Sequence, residues 1–493
     1  MRQLFRHVFI LVAILAAAAS ASLADDNLAE LSAEGFTVRY PPAFETQAKT
    51  ILKMAAQHFR PGIEVHRQIV QLLSNPSELA AYITDLLGAE ETQEATRIRL
   101  TAYKQKSEAL VHAFSNIRII PAADAVVTGG VDAGVIQVRY SHDSDEFSIG
   151  LQLENVDEEV LKRSFFPVFV NADGRIRSEK NLPETALNLL GSSKAMIPAV
   201  IHETVSWIIS EKLNLYHPFT RWFLEGVTGW VTVRVLNRAG GEYQKIAAEV
   251  YTPGAAAKKV RDKVNLLAWP QSAFQNKRPP YIDPELEVAQ TQYAVEAVTK
   301  LLGGNRNRTL ARIIGELKHR PDVDTEAICA AINKITGIDF KKTLLTYVPE
   351  DIVRAMNTGE ARKLISQAEK LAQERKWVEA IAKLRRALQI DPYDINARLN
   401  LAWLERENSE NLDSEIQIFT AARLFKEKTY SFRLFAPSVE GNYVLARLAI
   451  LLGNLDYAKK FLEPVLAANP NHKDAKRALE EIRRIEASAR GER

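Results

Sequence analysis

One spacing pattern near the end of the chain restricts its fold more than any other feature. Large and small apolar residues recur there at intervals of 3, 4, 3 and 5, and the same intervals return 78 residues later. The two sets are Trp377, Ala380, Leu384, Ala387 and Pro392, and Leu455, Ala458, Leu462, Val465 and Pro470. Small residues at such positions let two antiparallel helices approach closely, and the proline ends the second helix. The pattern therefore predicts consecutive pairs of helices.

The repeat extends beyond these two copies. Leu364, Ala368 and Leu371 supply the first helix of the first unit, and a last helix from Asp474 caps the array. A weaker copy and an insertion around residues 430–437 lie between the two good copies. The whole region, about residues 359–484, resembles the tetratricopeptide repeat, which implies a protein or peptide partner. A plain helical bundle is the alternative.

The chain before residue 350 changes its hydrophobic period twice. A short strand at Phe36–Tyr40 is followed by helical patterns as far as about Asn116. Alternating apolar residues then predict strands at residues 135–140 and 147–153, and a third strand at 165–170. Beyond Glu184 nearly everything is helical, with one main interruption from Pro253 to Pro284. Strands early and helices late predict an α+β domain.

The first two dozen residues have the three-part layout of a secretory signal peptide. Arg2 and Arg6 give a positive start, an apolar run covers residues 8–19, and small residues lie just before Asp25. We therefore expect a signal peptide over residues 1–24, a mature chain that starts at Asp25, and a periplasmic or secreted protein. An uncleaved anchor is the alternative, although the run is shorter than the ~20 residues that a membrane span needs. No later segment is apolar enough to cross a bilayer, so we expect no transmembrane segment in the mature chain.

Charge and cysteine content exclude several classes of function. Lys plus Arg exceed Asp plus Glu by 64 − 61 = 3 residues, and without Arg2 and Arg6 the excess is 1. This balance gives no case for nucleic acid as the main partner. The single cysteine, Cys329, excludes an intramolecular disulfide and a cysteine-based zinc knuckle. Its apolar neighbours predict a buried, inert thiol.

Residues 200–207, with the sequence Val-Ile-His-Glu-Thr-Val-Ser-Trp, carry the strongest chemical signal. Apolar residues follow a helical spacing here, at Ile201, Val205, Ile208 and Ile209. His202 and position 206 are one helical turn apart, so they point to the same side. In H-E-x-x-H zinc hydrolases, two imidazoles so placed hold the metal, and the glutamate between them activates its water. Here the second position is Ser206.

A second segment, residues 219–230, strengthens this interpretation with the sequence Phe-Thr-Arg-Trp-Phe-Leu-Glu-Gly-Val-Thr-Gly-Trp. With it, about residues 35–350 resemble the gluzincin, or peptidase MA-like, metallopeptidases. In that group a W-x-x-E-G stretch on the following helix supplies a glutamate as a zinc ligand. Glu225 matches that position, 225 − 203 = 22 residues beyond Glu203. Gly226 would permit tight helix packing.

The resemblance implies a role for each motif residue. His202 and Glu225 would be zinc ligands and Glu203 the catalytic general base, while no residue is assigned to transition-state stabilisation. Ser206 occupies the position of the missing ligand, for which His217 is a candidate substitute. A catalytic zinc normally has three protein ligands and a water, so we expect zinc to bind weakly or not at all. Alternatively, the match is a coincidence, and the tryptophans of both segments are simply core.

Together these features predict an α+β metallopeptidase-like domain over residues 25–350, followed by an all-α tetratricopeptide helical-repeat domain over residues 359–493. Three functions remain open. The first is a catalytically impaired peptidase fold that binds polypeptide or handles envelope proteins. The second is an active zinc-dependent peptidase with a non-standard third ligand. The third is a repeat scaffold whose N-terminal domain is purely structural.

Overall fold

The structure, a computed structural model, describes most of the chain after residue 27. The described residues are 28–121, 136–141, 146–151, 166–170, 174–175, 190, 193–213, 219–269, 283–303, 307–318, 320, 323–409, 411–425, 434–436 and 438–489. Within these ranges the chain is mostly helical, and its strands all precede residue 171. The predicted order of strands early and helices late is confirmed. The expected signal peptide lies outside the described residues.

The strands form one mixed sheet and one separate hairpin. They are β1 (Ala29–Ala33), β2 (Phe36–Tyr40), β3 (Asn116–Pro121), β4 (Ile136–Ser141), β5 (Glu146–Leu151) and β6 (Phe166–Val170). The sheet has the order β1-β2-β3-β6, with β1 antiparallel to β2 and the other two pairs parallel. β4 and β5 form the antiparallel hairpin. The four strands that the sequence predicted are thus confirmed, within one or two residues at their ends.

β1 and β3 were not predicted, and each has a physical reason. β1 is rich in Ala, Glu and Ser, which are weak strand formers. It forms because Glu34 and Gly35, both at positive φ (54° and 84°), make a two-residue turn that pairs Ala33 with Phe36. β3 begins directly where a long helix ends, so its period could not be separated from that of the helix.

The described helices are α1 (Glu45–His58), α2 (Arg60–Leu72), α3 (Pro76–Leu87), α4 (Gln93–Ser115), α5 (Met196–Leu213), α6 (Arg221–Ala239), α7 (Gly241–Tyr251), α8 (Ala255–Lys259), α9 (Pro284–Leu302), α10 (Asn307–Leu317), α11 (Thr325–Thr336), α12 (Phe340–Leu345), α13 (Glu350–Met356), α14 (Glu360–Gln373), α15 (Trp377–Ile390), α16 (Ile395–Glu407), α17 (Asn411–Leu424), α18 (Val439–Leu451), α19 (Leu455–Ala468) and α20 (Lys473–Ala489). Short 3-10 helices occupy Pro42–Phe44, Glu90–Thr92, Arg261–Lys263 and Leu266–Ala268.

Side-chain hydrogen bonds and glycines determine where helices begin and end, as α9 illustrates. The Asp283 carboxylate accepts the backbone N–H of Glu285 (3.0 Å) at the start of α9, and Gly303, at φ 55°, ends it.

The chain divides into two compact units. The first comprises the described residues of 1–84, 90–204 and 238–246, and the second those of 85–89, 205–237 and 247–493. The core of the first unit lies between the sheet and α1, α2 and α4. Val38 and Ile117 from neighbouring strands are buried there, and the rings of Phe59 and Phe114 meet edge to face at 5.4 Å. The boundary crosses α5 between Thr204 and Val205.

In the second unit, α14 to α19 form three consecutive helical hairpins, α14/α15, α16/α17 and α18/α19, and α20 packs against the last. Ala380 and Ala458 are completely buried, as their positions in the repeat predict. The hairpins share this unit with α6 and α8 to α13. Asn265, for example, donates its side-chain N–H to the carbonyl of Gln389 in α15 (3.1 Å).

Two turns between helices have the same backbone geometry and lie 78 residues apart, which is the offset of the sequence pattern. After α14, Arg375 is left-handed (φ 57°), and the N–H of Lys376 donates to the carbonyl of Leu371 (2.9 Å). After α18, Gly453 is left-handed (φ 73°), and the N–H of Asn454 donates to the carbonyl of Ala449 (2.9 Å). Each residue of the second turn lies 78 positions after its counterpart. Both turns therefore use one helix-ending hydrogen-bond pattern.

Within the described ranges, no helix combines the length and the apolar character that crossing a bilayer requires.

The buried alanines of the hairpins give a stability prediction. Ala380→Leu and Ala458→Leu should each lower the free energy of unfolding by about 1–3 kcal/mol, because the added atoms enter a filled contact between paired helices. Val378→Leu on α15, at a side chain that is 66% exposed, is the control and should change stability by less than about 0.5 kcal/mol. Urea unfolding of the three variants checks this. Equal midpoints for Ala380→Leu and the control would contradict the packing.

Candidate functional site

α5 carries the His-Glu segment as the sequence predicts. Ile201, Val205, Ile208 and Ile209 are all buried, so the apolar stripe of this helix is confirmed. His202 and Ser206 are half-buried one turn apart, and Glu203 is exposed. The hydroxyl of Thr204 donates to the carbonyl of Val200 (2.8 Å), so this buried polar group is satisfied within the helix.

The aromatic residues of the second segment form part of the core. Trp222 is completely buried and donates its indole N–H to the Thr325 hydroxyl (3.1 Å). That hydroxyl in turn donates to the carbonyl of Phe219 (2.8 Å). The rings of Trp222 and Phe340 lie 5.7 Å apart. These contacts account for the aromatic character of the segment without any ligand.

Two glycines of α6 allow α9 to approach closely. A Cβ atom on Gly226 would lie 2.7 Å from the carbonyl oxygen of Ala294 and 2.7 Å from a methyl of Val298. One on Gly229 would lie 2.2 Å from a methyl of Val295. The tight helix packing expected at Gly226 is thus confirmed.

Glu225 is engaged in an ion-pair network on its own side of α6. Its carboxylate lies 3.5 Å from Nε of Arg221, and both side chains are less than one-fifth exposed. Arg221 also pairs with Glu287 (2.8 Å) and lies over the ring of Trp269, 4.5 Å from its centre. The indole of Trp269 donates to Glu287 (3.3 Å), which closes the network. A carboxylate held by a guanidinium is less available to a metal ion.

The described donor set does not fit a catalytic zinc ion. Such an ion needs three protein ligands, and a neutral serine hydroxyl at position 206 is a poor substitute for an imidazole. His217 lies outside the described residues. Among those that are described, no three His, Cys, Asp or Glu side chains are grouped closely enough to hold a metal ion. We therefore derive no chemical step through zinc.

Sequence analysis missed a group of polar residues on α4 that faces Glu203. Burial raises the pKa of the Tyr103 hydroxyl, and the nearby negative charge of Glu203 raises it further. Arg99, one turn before Tyr103, hydrogen-bonds to it and acts in the opposite direction. Arg99, Tyr103 and Lys106 follow one another at helical spacing beside the apolar Leu100 and Leu110. These three polar residues interrupt the apolar face of the helix, and that interruption could have indicated a polar site from the sequence.

Cys329 is buried and forms no disulfide, and burial raises the pKa of its thiol to about 12. The expectation of a buried thiol is confirmed, and the raised pKa favours the thiol over the thiolate, which is the reactive form.

Comparison with known proteins gives no relative: no family model, no curated protein and no solved structure matches this chain. The resemblance to gluzincins and tetratricopeptide repeats therefore rests on the residues of the motifs.

The close contact of α6 and α9 can be tested directly. Gly226→Ala should lower the free energy of unfolding by about 1–3 kcal/mol, because the new methyl group meets backbone that cannot move aside. Gly315→Ala in α10 is the matched control, since a Cβ atom there would meet nothing within 4 Å. It should stabilise the protein by up to about 1 kcal/mol through helix propensity. Denaturant unfolding that ranked the two variants in the reverse order would show that the contact is absent.

Proposed function

We propose that this protein is an exported, catalytically impaired metallopeptidase-like protein that binds polypeptides. Its helical-repeat region resembles tetratricopeptide repeats and acts as the main protein-binding surface. The N-terminal part has the helix with His202 and Glu203, but its described residues include no complete set of zinc ligands. Ser206 in place of a histidine is the single observation that carries the loss of catalysis.

The repeat region supports the binding role. Three consecutive hairpins, of which the first and third have equivalent turns, are closed by α20, as in arrays whose units pack on their sequence neighbours. Such arrays present long continuous surfaces, which suits an extended polypeptide. Fold type alone does not define the partner, so its identity is left to experiment.

The ion-pair network of Glu225 supports the loss of catalysis. Zinc would have to compete with Arg221 for the one carboxylate that the resemblance assigns as a ligand. The aromatic residues and glycines around it have packing roles that persist without a metal. Retention of the motif is therefore compatible with a protein that no longer hydrolyses peptides.

Binding and cleavage can be measured in one experiment. We expect fluorescently labelled, reduced and carboxymethylated α-lactalbumin to bind the full chain, with an anisotropy change that EDTA does not alter. Native α-lactalbumin is the control and should bind much more weakly, because its chain is not extended. Mass spectrometry should show no new fragments. Fragments that EDTA abolishes would establish the active zinc peptidase instead, and absence of both binding and cleavage would favour the repeat scaffold whose N-terminal domain is purely structural.

The zinc prediction concerns Ser206. If the gluzincin resemblance holds, Ser206→His supplies the missing imidazole and should raise zinc affinity by at least about tenfold. Adding Arg221→Met should raise it further, because this change releases the Glu225 carboxylate, and adding Glu225→Ala should remove the gain. Ser210→His, one turn later on α5, is the matched control. Titration calorimetry with zinc measures all four, and equal affinities for the histidines at 206 and 210 would refute the proposed ligand geometry.

A further inference from the structure

A lysine in the interior of the first unit has no hydrogen-bond partner among the described residues. Lys106 on α4 is only 8% exposed. Its Nζ atom is buried and makes no hydrogen bond within the part of the chain that the structure describes. Burial lowers the pKa of this amine to about 8. An unpaired buried ammonium group is costly, so such lysines are seldom retained without a role.

The described polar groups near Lys106 include a buried histidine, His66, and burial alone accounts for the lowered pKa of the lysine. His66 on α2 is 3% exposed, and its Nε2 lies against the carbonyl of Leu190. Because a carbonyl only accepts, Nε2 carries the proton, and Nδ1 accepts from the hydroxyl of Ser107 (3.1 Å). Burial and, to a smaller extent, the charge of Lys106 lower the pKa of His66. The imidazole is thus neutral with both nitrogens in use.

Lys106 is the inner end of a polar stripe on α4. Arg99, Tyr103 and Lys106 lie at i, i+4 and i+7, which places them on one face of the helix. Arg99 and Tyr103 are half-buried, so the stripe runs from partly exposed side chains to a buried amine. The stripe holds two cationic groups and a phenol, and the exposed Glu203 is a carboxylate close enough to the phenol to raise its pKa. The charge of the stripe is therefore complementary to an anion.

We propose that the stripe of Arg99, Tyr103 and Lys106 binds a carboxylate group, the C-terminal carboxylate of a peptide. Lys106 pairs with this carboxylate at the inner end, and Tyr103 and Arg99 contribute a hydroxyl donor and positive charge nearer to solvent. This assignment rests on the proposed polypeptide binding, because the terminal carboxylate is the one anion that every unmodified polypeptide carries. The bound anion supplies the counter-charge that Lys106 does not receive from a hydrogen bond to the described residues.

The reactivity of Lys106 tests the pairing. The full-length protein is treated with formaldehyde and cyanoborohydride at pH 8, and methylation of each lysine is followed by mass spectrometry. N-acetyl-trialanine should slow methylation of Lys106 about fivefold, because a paired carboxylate favours the charged amine, which does not react. Its C-terminal amide should leave the rate unchanged. Lys104, on the same helix but partly exposed, is the internal control and should react equally in both cases.

Several results would overturn the proposal. Equal protection by the acid and the amide would show that the contact is not with a carboxylate. Stronger protection by inorganic phosphate would assign the stripe to phosphate groups instead. A Lys106 that methylates at no pH would show that even a one-carbon reagent cannot reach it, so no ligand could.

A variant separates this site from the proposed function. Lys106→Met keeps the length of the side chain and removes a buried charge, so the protein should fold. It should abolish the preference for N-acetyl-trialanine over its amide in titration calorimetry, while Lys104→Met retains it. If unfolded α-lactalbumin binds but acid and amide are equivalent, the proposed function stands and the carboxylate site fails. If the polypeptide does not bind but the acid still protects Lys106, the site stands and the proposed function fails.

Discussion

The close approach of α6 and α9 is the contact on which the second unit depends. It requires glycine at positions 226 and 229, because any side chain there would overlap the backbone or methyl groups of α9. Glu225 is fixed beside this contact, and Trp222 and Trp230 are buried on the same helix. A Trp-x-x-Glu-Gly stretch is therefore what helix packing requires here, whether or not a metal is bound.

The ion pair of Glu225 follows from the same geometry. With one face of α6 occupied by α9, the carboxylate lies near Arg221, one turn earlier, and Arg221 is held between Glu287 and the ring of Trp269. Charged groups that are mostly buried need partners, and this network supplies them. Zinc binding by Glu225 would therefore have to compete with this network, so a histidine at position 206 would raise zinc affinity without giving that of a complete site.

How far the sequence predicted the structure depended on whether a feature is local. The strands at residues 135–140 and 165–170 and the 78-residue offset could be predicted, because a period or a spacing within one segment encodes them. β1 could not, since its residues have weak strand propensity and its pairing depends on the turn at Glu34-Gly35. The contact between His66 and Ser107 could not be predicted either, because these residues lie on different helices and are 41 positions apart in the chain. Of the site, the sequence predicted the helix positions of His202 and Ser206, but not the arginine that holds Glu225.

Two buried cationic side chains, Arg406 and Lys106, have pKa values shifted in opposite directions. Arg406 on α16, with a side chain only 4% exposed, pairs with Glu440 and with Asp474 (2.9 Å), and its guanidinium lies over the ring of Tyr443. Burial alone would lower the pKa of Arg406, but these hydrogen bonds outweigh burial and raise it. Among the described residues Lys106 has no such hydrogen-bonded carboxylates, and burial lowers its pKa. The first arrangement joins α16, α18 and α20 and is explained by structure alone. The second has no structural benefit within the described residues, and a ligand that carries the missing negative charge explains why the lysine is there.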